Sequence, residues 1–242
     1  MKVFNIRNKP CIILGDLHVP AHHPDSFEFI KALKKHYKNP LIISIGDECD
    51  LHSVSMHDKN PNLQSPKDEY EEILYEYHRK GGLYDIAPTL QILTSNHGDL
   101  YLRRAEKFGL PQRVIRDRAD IWETKGWKWH EEVLLRTVWG DIYLTHGRSK
   151  NALKLLNFTG AYGVCQGHFH SKFGIDYYSR SKGLDRFTAF TGCLIDENKL
   201  NFKYGSLSIE RPQLGSLAIM DDGRPRLHKL NLDKHGRWTG KL

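Results

Sequence analysis

Short apolar runs that end in Gly, Asn or His alternate along this chain with stretches of helical periodicity. "CIILGD" (11–16) and "LIISIGD" (41–47) are continuous Ile/Leu runs that stop at Gly-Asp, and both predict buried strands. Between them, "PDSFEFIKALKKHYKNP" puts Phe27, Ile30 and Leu33 at helical spacing. Asp25 lies near its start and lysines near its end, the charge order a helix dipole favours. Strand, helix, strand predicts a βαβ unit in a parallel sheet. A second helix is expected over "PKDEYEEILYEYHRKGG", closed by Gly81 and Gly82, and "TLQILTSNH" (89–97) is a third strand of the same kind. Short helices are expected within 99–107 and 111–118. After Trp122 the texture turns to β: "EEVLLRTVWGDIYLTHG" predicts a hairpin turning at Gly140-Asp141. "KNALKLLNF" reads as a short helix and "AYGVCQGHFH" as a strand, while "RFTAFTGCL" and "GSLAIMDDG" complete a second set of strands. The N-terminal "MKVFNIRNKPCIILGD" is read as one first strand. Nothing divides the chain, so the expectation is one α/β domain over 1–242, ending in a basic strand and tail.

Composition narrows this only a little. At 242 residues, 39% hydrophobic and 27% charged, the chain suits a soluble domain with a sizeable core. No stretch approaches the ~18 apolar residues of a membrane span, and the N-terminus lacks a signal-peptide core. A cytoplasmic protein that does not engage a membrane is expected. Cys11, Cys49, Cys165 and Cys193 are scattered without CxxC spacing and read as reduced packing residues rather than zinc ligands. The net charge of +7 favours an anionic partner such as a nucleotide, a phosphate ester or nucleic acid, although a solvated basic tail explains it equally well.

The chemistry concentrates at strand ends. In "GVCQGHFHSKF", His168 and His170 sit at i and i+2 of an extended segment, so both imidazoles face one side. Four other β-like runs also hand over to metal-binding side chains: Asp16-Leu17-His18, Gly46-Asp47, Asn96-His97 and His146-Gly147. Each alone is a common turn or cap. Together, at the carboxyl ends of strands where α/β sheets form ligand sites, they define one candidate centre.

This order (Asp-x-His, Gly-Asp-x-x-Asp, Asn-His, His, Gly-His-x-His) resembles that of the calcineurin-like metallophosphoesterases, over Asp16 to His170. The later "GCLIDENKLNFKYGSLSIERPQLG" resembles a branch common in phages and prophages, which implies a bacterial or phage-infected host cell. The resemblance implies two packed mixed β-sheets flanked by helices. It implies that Asp16, His18 and His170 hold one divalent metal, that Asn96, His146 and His168 hold the other, and that Asp47 bridges them. Mixed carboxylate, imidazole and amide ligands suit Mn²⁺ first, with Fe, Zn, Ni or Mg as alternatives. A water bridging the two cations would be the nucleophile. His97 would protonate the leaving oxygen, oriented by Asp50 of "GDECD".

The chain departs from the family pattern in places. "SNHGD" displaces the acid that usually follows the histidine to Asp99. Leu51 and Thr94 stand where protein phosphatases carry phosphate-gripping arginines. Arg148, two residues after His146, is the candidate replacement, or else a surface Arg starting a helix. His52, with Ser55 and His57, is a candidate lining of the substrate entrance, or else a polar helix start. The leading function is a phosphomonoesterase for nucleotide-like or other small substrates. The alternative is a phosphodiesterase or nuclease on DNA or RNA, and a third reading is an inactive relative that binds nucleic acid or protein.

Overall fold

The computed structural model describes residues 1–56, 61–179, 185–199 and 209–242, so that 200–208 of the phage-like stretch lie outside the described residues. The βαβ unit predicted from the first half is present: β2 (Cys11–Leu14), α1 (Ser26–His36) and β3 (Leu41–Ser44), with the two strands parallel. β4 (Gln91–Leu93) and β5 (Lys128–His130) continue the parallel run, and β11 (Gly215–Ile219) and β12 (Pro225–Lys229) add an antiparallel edge beyond β2. The second sheet runs β1 (Lys2–Asn5), β6 (Val133–Arg136), β7 (Asp141–Thr145), β8 (Gly163–Gln166), β10 (Arg186–Thr191), β9 (Phe173–Tyr178). It is mixed too, because the predicted hairpin pairs β6 with β7 antiparallel whereas β7 and β8 are parallel. The chain thus has the architecture that the metallophosphoesterase resemblance implies.

Strand alternation builds the layers. Cys11, Ile13 and Ile43 meet Val133, Leu135, Ile142, Leu144 and Cys165 between the two sheets. Ile12, Leu14 and Ile42 point the other way, onto Phe27, Ile30 and Leu33 of α1 and onto Ile73 and Tyr77 of α2 (Pro66–His78). Outside the second sheet, Leu155 and Leu156 of α6 (Ala152–Thr159) cover Tyr143 and Val164. Strands covered on both faces read as unbroken apolar runs, which is why they were visible in the sequence. All four cysteines are buried and free, as packing residues would be. No helix among the described residues is long and apolar enough to cross a membrane.

Two sequence expectations need correction. The N-terminal segment holds two strands rather than one, and they belong to different sheets. The chain turns between them, where Arg7 N donates to Asn5 Oδ1 at 3.1 Å. Pro10 there offers no N–H to either ladder. The strands that follow β9 also divide: β10 joins the second sheet and β11 the first. The basic C-terminus, beyond β12, folds back on α1. Arg237 Nε and Trp238 N both donate to Asp25 Oδ2 at 2.8 Å, and Trp238 packs edge-on against Phe29.

Candidate metal centre

All five ligand-bearing loops leave the carboxyl ends of their strands. Asp16 follows β2, Asp47 follows β3 and Asn96 follows β4 in the first sheet, whereas His146 follows β7 and His168 follows β8 in the second. Since β2, β3 and β4 are mutually parallel, and β7 is parallel to β8, each sheet presents its loops at one end. The backbone there is unusual. His18, Asp47 and His168 have φ of 51°, 46° and 66°, a left-handed conformation that costs non-glycine residues energy and recurs at functional sites. Glycine is required beside two of them. A Cβ on Gly46, itself at φ +117°, would lie 2.5 Å from His146 Nδ1, and one on Gly167 would lie 2.4 Å from Asp16 Oδ1.

The side chains converge in two groups that share Asp47. In the first, one ligand atom from each of Asp16, His18, Asp47 and His170 lies within 4.8 Å of all the others, and in the second the same holds for Asp47, His146 and His168. His18 Nε2 is 3.1 Å from His170 Nε2 and 3.4 Å from Asp47 Oδ2. His146 Nε2 is 3.1 Å from Asp47 Oδ2 and 2.9 Å from Asn96 Oδ1, which brings the amide into the second group. Asp16, His18 and Asp47 are buried, while His168 is exposed and Asn96 and His97 are half-buried. The second group therefore faces the solvent.

Ring orientations are set from behind. His146 Nδ1 lies 3.1 Å from the Ile45 carbonyl, to which an Nδ1–H donates, so Nε2 faces the group. His18 Nδ1 is likewise 2.8 Å from Asp50 Oδ1. Such outer partners fix the tautomer of a metal-ligating imidazole. Burial opposes charge on His18, but bonds to Asp47 and Asp50 override it and raise its pKa to about 10. His146 behaves similarly: burial works against charge, and Asp47 and then Asp16 lift it to about 9. Burial likewise works against ionised Asp47, yet His146 and His18 hold its carboxyl well below the ordinary range. The pocket is thus electrostatically set for concentrated positive charge.

The residues fit a metal pair on an independent observation. Asp16 is fully buried, its Oδ2 accepts from His168 N at 2.6 Å, and its Oδ1 has no hydrogen-bond partner. A buried carboxylate oxygen beside a ring of imidazoles is costly unless a cation completes it. The donor set of carboxylate, imidazole and amide oxygen, without thiolate, suits divalent first-row metals.

Other expected residues are placed differently. Asp50 lies closer to His18 than to His97, whose Nδ1 is 3.3 Å from its carboxylate and 2.5 Å from its backbone carbonyl. Asp50 therefore holds a ligand ring first and the acid candidate second. Arg148 is turned to Glu132, with which its guanidinium forms an ion pair, and does not reach toward the cluster. A carboxylate within reach outcompetes an unpaired extension toward the centre. His52 lines a small cavity with Ser53, Pro61, Leu63, Gln64 and Ser65, which carries none of the cluster residues. Its backbone N–H and that of Ser53 are held by Glu69, at 2.9 and 2.8 Å, so the turn follows α2 rather than the entrance. His57 lies outside the described residues. Asp99 pairs with Arg118 and takes no part in either group.

Two positioning residues escaped the sequence reading. Ser95 Oγ accepts from Asp47 N at 2.8 Å and from Gly98 N at 3.1 Å, holding the shared ligand's loop. Gln166 Oε1 accepts from Arg148 N and Ser149 N just after His146. Ser95 stands directly before Asn96, but a serine there carries no signal until its distant partner is known.

No family profile and no curated protein sequence matches the chain. Among solved structures it is similar to an archaeal phosphodiesterase at 13% identity, covering 91% of this chain and 99% of that one, with a TM-score of 0.47. It is also similar to Vps29 of Chaetomium thermophilum at 14% identity, covering 95% and 93%, with a TM-score of 0.47. Vps29 of Cryptosporidium parvum gives 13%, 91% and 95%, with a TM-score of 0.40.

Proposed function

We propose that the chain is a calcineurin-like metallophosphoesterase that hydrolyses phosphate esters at a pair of divalent metals. The observation that carries this is the two ligand groups sharing Asp47, with Asp16 Oδ1 buried among them without a hydrogen-bond partner. Asp16, His18 and His170 would hold one cation, Asn96, His146 and His168 the other, and Asp47 both; Mn²⁺ is the first candidate, then Fe, Zn, Ni or Mg. When bound, such a pair supplies Lewis acidity toward the phosphoryl oxygens and acidifies water between them. The protein's own part is orientation and proton transfer. Buried carboxylates fix the inner imidazoles, and the open side with His168 and Asn96 admits the ester. His97, with Nδ1 held by the Asp50 carbonyl, presents Nε2 as the atom that would deliver a proton to the leaving oxygen.

The phosphodiester reading gains over the monoester one. A terminal phosphate carries a second negative charge that calls for a dedicated cation, and Arg148, expected in that role, is paired with Glu132. The test is a panel of nucleoside monophosphates, cyclic nucleotides, a bis-aryl phosphate and single-stranded DNA, assayed with Mn²⁺. Turnover of diesters above monoesters is expected. No turnover of any of them, with two metals bound, would make the chain an inactive binding relative instead.

A further inference from the structure

Beyond β4 the chain passes through the Asn96-His97 loop into α4 (Leu100–Lys107), a single 3-10 turn (Gln112–Val114) and α5 (Arg118–Ile121). The segment 100–118 carries six cations against two carboxylates, Glu106 and Asp117. Arg118 is occupied by Asp99. Of the other five, Arg103, Lys107, Arg113 and Arg116 are exposed and Arg104 is half-buried. Arg103 reaches back to the carbonyl of Asn96 at 3.5 Å, so the basic segment begins at the open side of the candidate centre. Large apolar side chains stand out among these cations: Phe108 is 74% exposed, Val114 62% and Leu110 50%. The Arg104 guanidinium lies 5.8 Å from the Phe108 ring centroid.

A core-forming role explains Leu100 and Leu102, which are buried, but not Phe108, Leu110 and Val114, which face water. Cations interleaved with an exposed aromatic ring are what single-strand binding surfaces combine: charge tracks the phosphates, and rings stack on bases of any identity. We infer that the 100–118 lip seats a single-stranded nucleic acid and leads one of its phosphodiesters to the metal centre. Cleavage of that diester rests on the phosphoesterase reading; seating of the strand does not. A polyglutamate chain would satisfy the charge but give Phe108 nothing to stack on.

The test uses the full chain in chelator, so that a labelled oligothymidylate is bound and not cut, with fluorescence anisotropy followed against KCl. Four or five engaged cations predict a slope of log K on log [salt] of about −3, at ~0.7 per phosphate on single strands. The double variant Arg113→Ala, Arg116→Ala should reduce that slope by about 1.4. Phe108→Ala should weaken binding roughly tenfold and leave the slope unchanged, as loss of one stacked base would. Arg224→Ala with Lys229→Ala, at the β12 edge of the first sheet, should change neither. The inference is overturned if the oligonucleotide is not bound, if the lip variant keeps the full slope, or if polyglutamate of equal charge competes as well as the oligonucleotide. The two readings separate with Mn²⁺ added. Hydrolysis of a bis-aryl phosphate without strand binding removes the lip and keeps the enzyme. A strand that is bound but left intact, with the aryl ester intact too, keeps the lip and removes the enzyme.

Discussion

Ser95 offers a test of whether the shared ligand is held by design of the fold or merely sits where the sheets end. The residue is buried, and its hydroxyl accepts from two backbone donors, Asp47 N and Gly98 N. Ser95→Ala leaves both N–H groups without that acceptor. Each buried donor so orphaned costs about 1–3 kcal/mol, which gives about 2–6 kcal/mol for the pair. Relaxation is hindered, since Asp47 is already at φ 46° and Gly46 beside it packs so closely on His146 that not even a Cβ would fit. Equilibrium urea unfolding, read by tryptophan fluorescence in chelator, should show the midpoint falling by about 0.7–2 M at a urea slope of ~3 kcal/mol/M. Mn²⁺ affinity should fall as well, because the bridging carboxylate loses its anchor while every ligand remains. An unchanged midpoint together with unchanged Mn²⁺ binding would refute the reasoning.

Metal analysis after loading with excess Mn²⁺ should approach two ions per chain; Asp47→Asn should weaken both sites and abolish turnover, whereas Cys49→Ser on the same loop should leave metal content intact. His97→Ala should keep its metals yet lose activity by about 10²–10⁴-fold on an alkyl ester, and much less on a nitrophenyl ester whose leaving oxygen needs little protonation; equal losses on both would assign His97 to phosphate binding. His228 is buried against Tyr37, and burial, then the charge of Arg226, lower its pKa to about 4. Its unfolded form, titrating near 6.5, binds the proton first, so its contribution is complete above about pH 6.5 and is lost as pH falls toward 4, by up to about 3 kcal/mol. Urea unfolding at pH 7 and at pH 4.5 should therefore show a smaller acid loss for His228→Gln than for the parent chain, and equal losses would contradict it.

The sequence alone determined those features that rest on local regularity. Continuous Ile/Leu runs such as "LIISIGD" suit strands covered on both faces, and the 3.6-residue spacing of Phe27, Ile30 and Leu33 serves a helix with one buried side. Because parallel strands end together, polar residues following the runs of one sheet gather at one end, Asp16, His18, Asp47 and Asn96 in the first and His146, His168 and His170 in the second; packing of the two sheets then joins them. Tertiary structure decided everything that depends on which partner wins. Arg148 is two residues from a ligand in the chain, but Glu132 captures it. Asp50 serves His18 before His97, and Ser95 acquires its role from an N–H 48 positions away. Arg237 closes the basic C-terminus onto Asp25, 212 positions earlier. Periodicity reports which face of an element is buried. The choice among competing charges and hydrogen bonds is made by distances of a few ångströms between segments far apart in sequence, and those exist only once the two sheets have packed.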